Sequence, residues 1–306
     1  MKAKHLISVA DLSSDDISEI LNTAGRLKAD QRSGRQAPVL AGKNLALIFE
    51  KPSLRTRVSF ELAMVQLGGH ALYLSPNEVQ LGKRETVPDI ARVLSRYVDV
   101  MVIRTFDHHN VQTLAKFSSV PVINGLSDLS HPCQAISDLL TIQEKKGRLK
   151  GLRLAYIGDG NNVAHSLILA GCKVGMNVAI ATPPGYECEP EIVQTAREFA
   201  AESGAGLELT HSPWEAVKHA DIVYTDVWAS MGQEAERERR ALAFASYQVN
   251  ASLLEDAAVD VIVMHCLPAH RGEEITDDVI EGSRSVVFDQ AENRLHVQKA
   301  LLVLLV

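Results

Sequence analysis

Hydrophobic positions along the chain switch between two rhythms. Ile17, Ile20, Leu21, Ala24 and Leu27 stand three and four places apart behind Ser13, Asp15 and Asp16, which predicts an amphipathic helix with a hydroxyl cap and an acidic first turn. Residues 44–49 form a short unbroken apolar run instead, the mark of a strand buried on both faces, and residues 57–67 return to helical spacing before stopping at Gly68-Gly69. The unit recurs. A strand at 70–74 precedes helical 86–97, and a strand at 100–103 precedes a helix over 111–117. After Gly147-Arg148-Leu149-Lys150-Gly151 the pattern restarts with a strand at 152–157, a helix at 164–171 and a strand at 178–181. Further strands are expected at 222–225, 261–264 and 286–288, with a closing helix over 291–306. Alternation of this kind predicts an α/β fold of two domains, 1–147 and 148–290, each a mainly parallel β-sheet flanked by helices.

Composition narrows the classes. A chain of 306 residues, 46% apolar and 23% charged, is long enough for two cores and too apolar for disorder. Thirty-one Lys and Arg against 38 Asp and Glu leave a net charge of −7, which opposes binding to nucleic acid or to an anionic membrane. An anionic ligand would need a local cluster of cations. Cys133, Cys172, Cys188 and Cys266 lie far apart, without the spacing of a zinc site or a disulfide framework, so a reducing, cytoplasmic setting is expected. No signal sequence is expected at the start, and no run approaches the ~20 apolar residues of a membrane span.

In open α/β sheets ligands bind beyond the carboxyl ends of the strands, and there the sequence becomes unusual. Pro52-Ser53-Leu54-Arg55-Thr56-Arg57 follows the first strand, with Pro52 suited to a helix start, two hydroxyls, free backbone N–H groups and two guanidiniums able to make paired bonds to phosphate oxygens. A capped helix with solvated arginines would also explain this segment taken alone. Arg104 follows the strand at 100–103, and His131-Pro132-Cys133-Gln134 opens another helix. Asp226 follows the strand ending at Thr225, and His265-Cys266-Leu267-Pro268 follows the strand at 261–264.

Ser-x-Arg-Thr-Arg, His-Pro-x-Gln, Asp-x-x-x-Ser-Met-Gly and His-Cys-Leu-Pro, in this order and across nearly the whole chain, resemble the ornithine carbamoyltransferase family. The resemblance implies transfer of a carbamoyl group from carbamoyl phosphate to the δ-amine of L-ornithine, giving L-citrulline and phosphate. It implies no cofactor and no metal, and a role in arginine biosynthesis with the catabolic direction open. The two domains would be joined by helices, the closing helix packing back on the first. Residue by residue, it puts the phosphate on Ser53, the backbone at Leu54, Arg55 and Thr56, with Arg104 in reach and Arg57 steadying the loop. Thr56, Arg104 and His131 would face the carbamoyl oxygen, where fixed donors stabilise developing negative charge. Gln134 and the backbone carbonyls of Cys266 and Leu267 would orient the NH₂, and Arg294 would reach in from the closing helix. Asn162 would hold the ornithine carboxylate, while Asp226, Ser230 and Met231 would surround its α-ammonium. Cys266 would guide proton loss from the δ-amine. Arg104, His131 and Cys266 are thus the catalytic candidates. Gln80 matches a loop that enters the neighbouring subunit's site, which implies a homo-oligomer, a trimer or a multiple of trimers.

Other readings compete. Gly158-Asp159-Gly160-Asn161-Asn162-Val163 follows a strand like a degraded dinucleotide fingerprint, which would suit a nicotinamide oxidoreductase, but Val163 replaces the third glycine and the next strand ends in Ala181-Thr182-Pro183 without an acidic residue. His265, Cys266 and His270 lack zinc-motif spacing. N-acylornithine and putrescine are alternative acceptors within the family. The family usually carries Thr where this chain has Leu54, which keeps the backbone N–H and loses a hydroxyl.

Overall fold

The computed structural model describes residues 1–229 and 234–306. The chain divides into two compact units, Met1–Leu140 with Glu292–Val306, and Thr141–Ala291.

In the first unit, α1 (Ser14–Arg32) is capped by Ser13, whose hydroxyl accepts the Asp16 N–H while the Asp16 carboxylate takes the Ser13 N–H in return. There follow β1 (Asn44–Phe49), α2 (Leu54–Gln66), β2 (His70–Leu74), α3 (Pro76–Val79), α4 (Val87–Leu94), β3 (Val100–Arg104), α5 (His108–Phe117), β4 (Val122–Leu126) and α6 (Pro132–Lys146), whose last residues, from Thr141, belong to the second unit. The strands form one parallel sheet in the order β2-β1-β3-β4, with Leu45 opposite both Ala71 and Val100. Every residue of β3 is buried, as an unbroken apolar run predicts for a strand covered on both faces. Ala46, Ile48, Met101 and Ile103 meet Val111 and Leu114 of α5 in a continuous core.

The second unit contains β5 (Arg153–Ile157), α7 (Asn162–Lys173), β6 (Asn177–Ala181), α8 (Pro190–Ser203), β7 (Leu207–Thr210), α9 (Pro213–Val217), β8 (Ile222–Thr225), α10 (Arg237–Phe244), β9 (Ile262–His265) and α11 (Asp277–Ile280). Its parallel sheet runs β7-β6-β5-β8-β9. Ala155, Ala179 and Val223 pack there against Phe244, Tyr247 and Ile280. Helix α12 (Val287–Leu305) closes the chain.

Strand β4, α3 and the helices α8 to α11 were not anticipated from the sequence, and the structure departs from expectation for a physical reason in two further places. The apolar run 286–288 is not a strand: Val286 gives its N–H to the Val263 carbonyl, after which the chain enters α12, four residues before the expected start. Three β-branched and aromatic residues mimic a strand, but Phe288 is exposed on the helix. Strand β7 escaped the pattern because it lies at the sheet edge, where Leu207-Glu208-Leu209-Thr210 is only partly covered.

Candidate functional site

Each sheet reverses its winding once. In the first unit the chain passes from β1 to β2 on one side and from β3 to β4 on the other, so the carboxyl ends of β1 and β3 flank a switch point. In the second unit the corresponding point lies between β5 and β8.

At the first point, Ser53 caps α2, its hydroxyl accepting the Thr56 N–H at 3.3 Å. Leu54 is 77% exposed, so its side chain points away from the cap and only its backbone can serve a ligand. Thr56 is fully buried. Its Oγ1 accepts the Ser53 hydroxyl at 3.1 Å and Arg294 Nη2 at 2.7 Å, which directs its own proton elsewhere as a donor. Arg57 takes a different course, pairing with Glu61 at 3.1 Å and stacking over the Tyr73 ring at 3.9 Å.

Arg104 ends β3, His131 directly precedes α6 and Gln134 lies in its first turn, and all three are buried. Burial, then the guanidiniums of Arg294, Arg104 and Arg55, hold the His131 imidazole well below the ordinary histidine range. It is therefore a neutral hydrogen-bonding group among cations. Gln134 Nε2 donates to Asp138 Oδ1 at 2.8 Å, leaving the buried Oε1 without a partner among the described residues. An amide held in this way offers an acceptor suited to an NH₂ group. Gln80 stands apart: it is exposed at the end of α3 with φ +42°, and its amide bonds only the Asn77 carbonyl at 3.3 Å among the described residues.

At the second point, three strand ends converge on Asp226. Its Oδ2 accepts Asn161 Nδ2 at 2.8 Å, and its Oδ1 accepts the Cys266 thiol at 3.0 Å and the Val227 N–H at 2.8 Å. Asn161 is also the cap of α7, its Oδ1 accepting the N–H groups of Val163 and Ala164 at 2.9 and 3.2 Å. Asn162, the expected carboxylate ligand, opens that helix one residue later and is half-buried. Leu267 follows Cys266 with φ +57°. Ser230 and Met231 lie outside the described residues.

Cys266 differs from the other cysteines. Cys133, Cys172 and Cys188 are buried, and burial pushes each thiol up to about 12, whereas Cys266 is half-buried beside a carboxylate. Behind this point Asp159 is raised to about 6, burial outweighing the Arg240 guanidinium 3.0 Å away. Arg240 also donates to the Trp228 carbonyl at 2.9 Å and to Glu236 at 3.0 Å.

The glycines of the apparent dinucleotide fingerprint have another use. A Cβ on Gly160 would lie 2.4 Å from the Cys188 nitrogen, and the Gly160 N–H is given to the Tyr186 carbonyl at 2.9 Å. Gly160 is small because residues 186–188 press on it, not to admit a pyrophosphate.

Sequence reasoning overlooked Asp138, Arg240 and the double role of Asn161. Only Asn161 carried a signal, as an Asn directly before a helix. Asp138 and Arg240 read as ordinary helix residues until their partners are known.

The carbamoyl-P binding domain family of aspartate/ornithine carbamoyltransferases matches residues 4–144, and the Asp/Orn binding domain family matches residues 150–305. An ornithine carbamoyltransferase of Pyrococcus abyssi is 58% identical over 305 residues, covering 100% of this chain and 96% of that protein. One of Bacillus subtilis is 56% identical over 299 residues, covering 98% and 92%. The solved structure of the Pyrococcus furiosus ornithine carbamoyltransferase superposes with a TM-score of 0.96 at 58% identity, over 97% of this chain and 95% of that one. An anabolic ornithine carbamoyltransferase from Campylobacter jejuni gives 0.94 at 40% identity, over 99% of both. With both units matched and identity this high across the full length, the chain belongs to the ornithine carbamoyltransferase branch of the aspartate/ornithine carbamoyltransferase family.

Proposed function

We propose that the first unit holds carbamoyl phosphate, the second holds L-ornithine, and the chain joins them to give L-citrulline and phosphate. The observation that carries this reading is the neutral His131 surrounded by Arg55, Arg104 and Arg294 beside the α2 cap. Such a site suits a dianionic phosphate with a neutral carbonyl attached. The phosphate lies on Ser53, the backbone of Leu54, Arg55 and Thr56, with Arg104 and Arg294 matching its charge. The carbamoyl oxygen takes hydrogen bonds from the Thr56 hydroxyl, Arg104 and His131, while Gln134 Oε1 accepts from the NH₂.

The δ-amine of ornithine attacks the carbamoyl carbon, and the carbon's bond to the phosphate oxygen breaks. Charge gathers on the carbonyl oxygen between those events, and donors fixed in advance are worth roughly 10²-fold each in rate. A neutral imidazole can donate there without surrendering its only proton. Asp226 pairs with the α-ammonium, Asn162 holds the carboxylate, and Ser230 and Met231 complete the acceptor pocket. The δ-ammonium must lose a proton before attack. Cys266, its thiol already directed to the Asp226 carboxylate, and the carbonyls of Cys266 and Leu267 receive that end of the substrate.

The biosynthetic direction is favoured by relatives described as anabolic, from Pyrococcus furiosus and Campylobacter jejuni. A cytoplasmic homotrimer is the proposed working form. Val58, Leu62 and Val65 make an exposed apolar stripe on α2, close in sequence to the exposed Gln80 that would enter a neighbour's site.

The test is to incubate the protein with carbamoyl phosphate and, separately, ornithine, putrescine, aspartate or N-acetylornithine, identifying products by mass. Citrulline from ornithine is expected. A carbamoylated product from N-acetylornithine or putrescine alone would overturn the acceptor.

A further inference from the structure

His265, first residue of the His-Cys-Leu-Pro segment, has no part in the chemistry above, yet it is fully buried and hydrogen-bonded at both ring nitrogens. Its Nδ1 accepts the Leu267 backbone N–H at 2.8 Å. Its Nε2 lies 3.0 Å from Oε1 of the equally buried Glu274, an oxygen that also accepts the His270 N–H at 2.5 Å. An N–H can be given only to a nitrogen with a lone pair, so the proton resides on Nε2 and is donated to Glu274. The His265 backbone N–H goes to Gln290 Oε1 at 2.9 Å, so the ring stands on a fixed stem.

The Leu267 bond closes a small ring of chain around Cys266. Leu267 occupies the left-handed region, φ +57°, which a branched side chain avoids unless its surroundings hold it. Within this ring the Cys266 thiol meets Asp226 Oδ1 at 3.0 Å. Although Asp226, His265 and Cys266 offer donor atoms close together, both His265 nitrogens are already engaged, which argues against a metal there.

We infer that His265 and Glu274 are positioning residues: Glu274 fixes the His265 tautomer, and His265 Nδ1 holds the Leu267 N–H so that Cys266 stays directed at Asp226. The inference deepens the carbamoyl-transfer reading and rests on it for the roles of Cys266 and Leu267.

Two substitutions divide the imidazole between its nitrogens. His265→Asn sets an amide oxygen near the Nδ1 position and keeps an acceptor for Leu267; His265→Gln sets an amide nitrogen near Nε2, keeping a donor for Glu274 and losing that acceptor. Each loses one hydrogen bond, so a purely structural role predicts equal falls in Tm and equal kinetics. We expect the Asn variant to keep kcat/KM for ornithine within roughly tenfold and the Gln variant to lose about a hundredfold or more, an extra tenfold corresponding to about 1.4 kcal/mol. Cys266 alkylation by iodoacetamide, read by mass spectrometry of its peptide, should change in the Gln variant and stay near the parent rate in the Asn variant. Equal kinetic losses, losses that follow Tm, or unchanged alkylation in the Gln variant would overturn the inference. Should either variant fail to fold, hydrogen exchange in the unmodified protein decides: Leu267 N–H is expected to be protected, and exchange at the rate of an open turn would sink the proposal. Alkylation and exchange report on the turn even if no citrulline forms, a result that would instead refute the reaction.

Discussion

Arg55 and Arg57 stand two residues apart in one motif and do different work. Arg57 spends its charge on Glu61 and its plane on Tyr73, bracing α2, whereas Arg55 contributes to the positive field at His131. Arg55→Ala should weaken carbamoyl phosphate binding by roughly 2–5 kcal/mol, the usual result of truncating one side of a desolvated charge pair; affinity near the parent value in calorimetry would contradict this. The Ser53 cap was legible in the sequence because it is local, and Leu54 shows why: the cap works through the backbone, and an exposed side chain there loses no hydrogen bond. The charge state of His131 was not legible. It depends on arginines from α2, β3 and α12, and the field they make exists only after folding.

Elements bring these residues together by ending at the right place. The capped helix α1 and the buried strands β1, β3, β5, β6, β8 and β9 followed from periodicity, while β4 and β7 were missed and the run at 286–288 was misjudged, because an edge strand and a helix entrance lack a distinctive rhythm. Behind the second switch point, α10 delivers Arg240 to Asp159, whose carboxyl is nonetheless raised to about 6 because burial exceeds the attraction. The folded chain thus holds a proton that the unfolded chain releases near pH 4, about the ordinary aspartate value. By linkage, this group's contribution is fully present below that value and is lost as pH rises through about 6. In denaturant melts from pH 4 to 7, Asp159→Asn should remove this part of the fall; an unchanged pH slope would show that Asp159 does not cause it.

At the scale of the molecule, two parallel sheets each present a switch point, one furnished with cations and hydroxyls, the other with a carboxylate and a thiol. The proposed division of labour is chemical: the first furnishing suits an anion, the second an amine. The apolar stripe on α2 belongs to this scale too. Val58→Glu with Leu62→Glu should shift the protein to monomers in sedimentation and lower activity by roughly tenfold or more, since a single buried charge without a partner costs several kcal/mol in an interface. Unaltered mass would remove α2 from the proposed contact.

The first unit is not continuous in the chain: residues 292–306 complete it after the whole of the second unit has been made. Arg294, which bonds Thr56 at 2.7 Å, therefore leaves the ribosome only after Thr56 and the whole of the second unit. Until then Thr56 lacks its Arg294 partner, although all residues of the second unit have been made. A chain stopped at Ala291 would keep every residue of the second unit and lose Arg294 from the first, so its affinity for carbamoyl phosphate should fall in calorimetry.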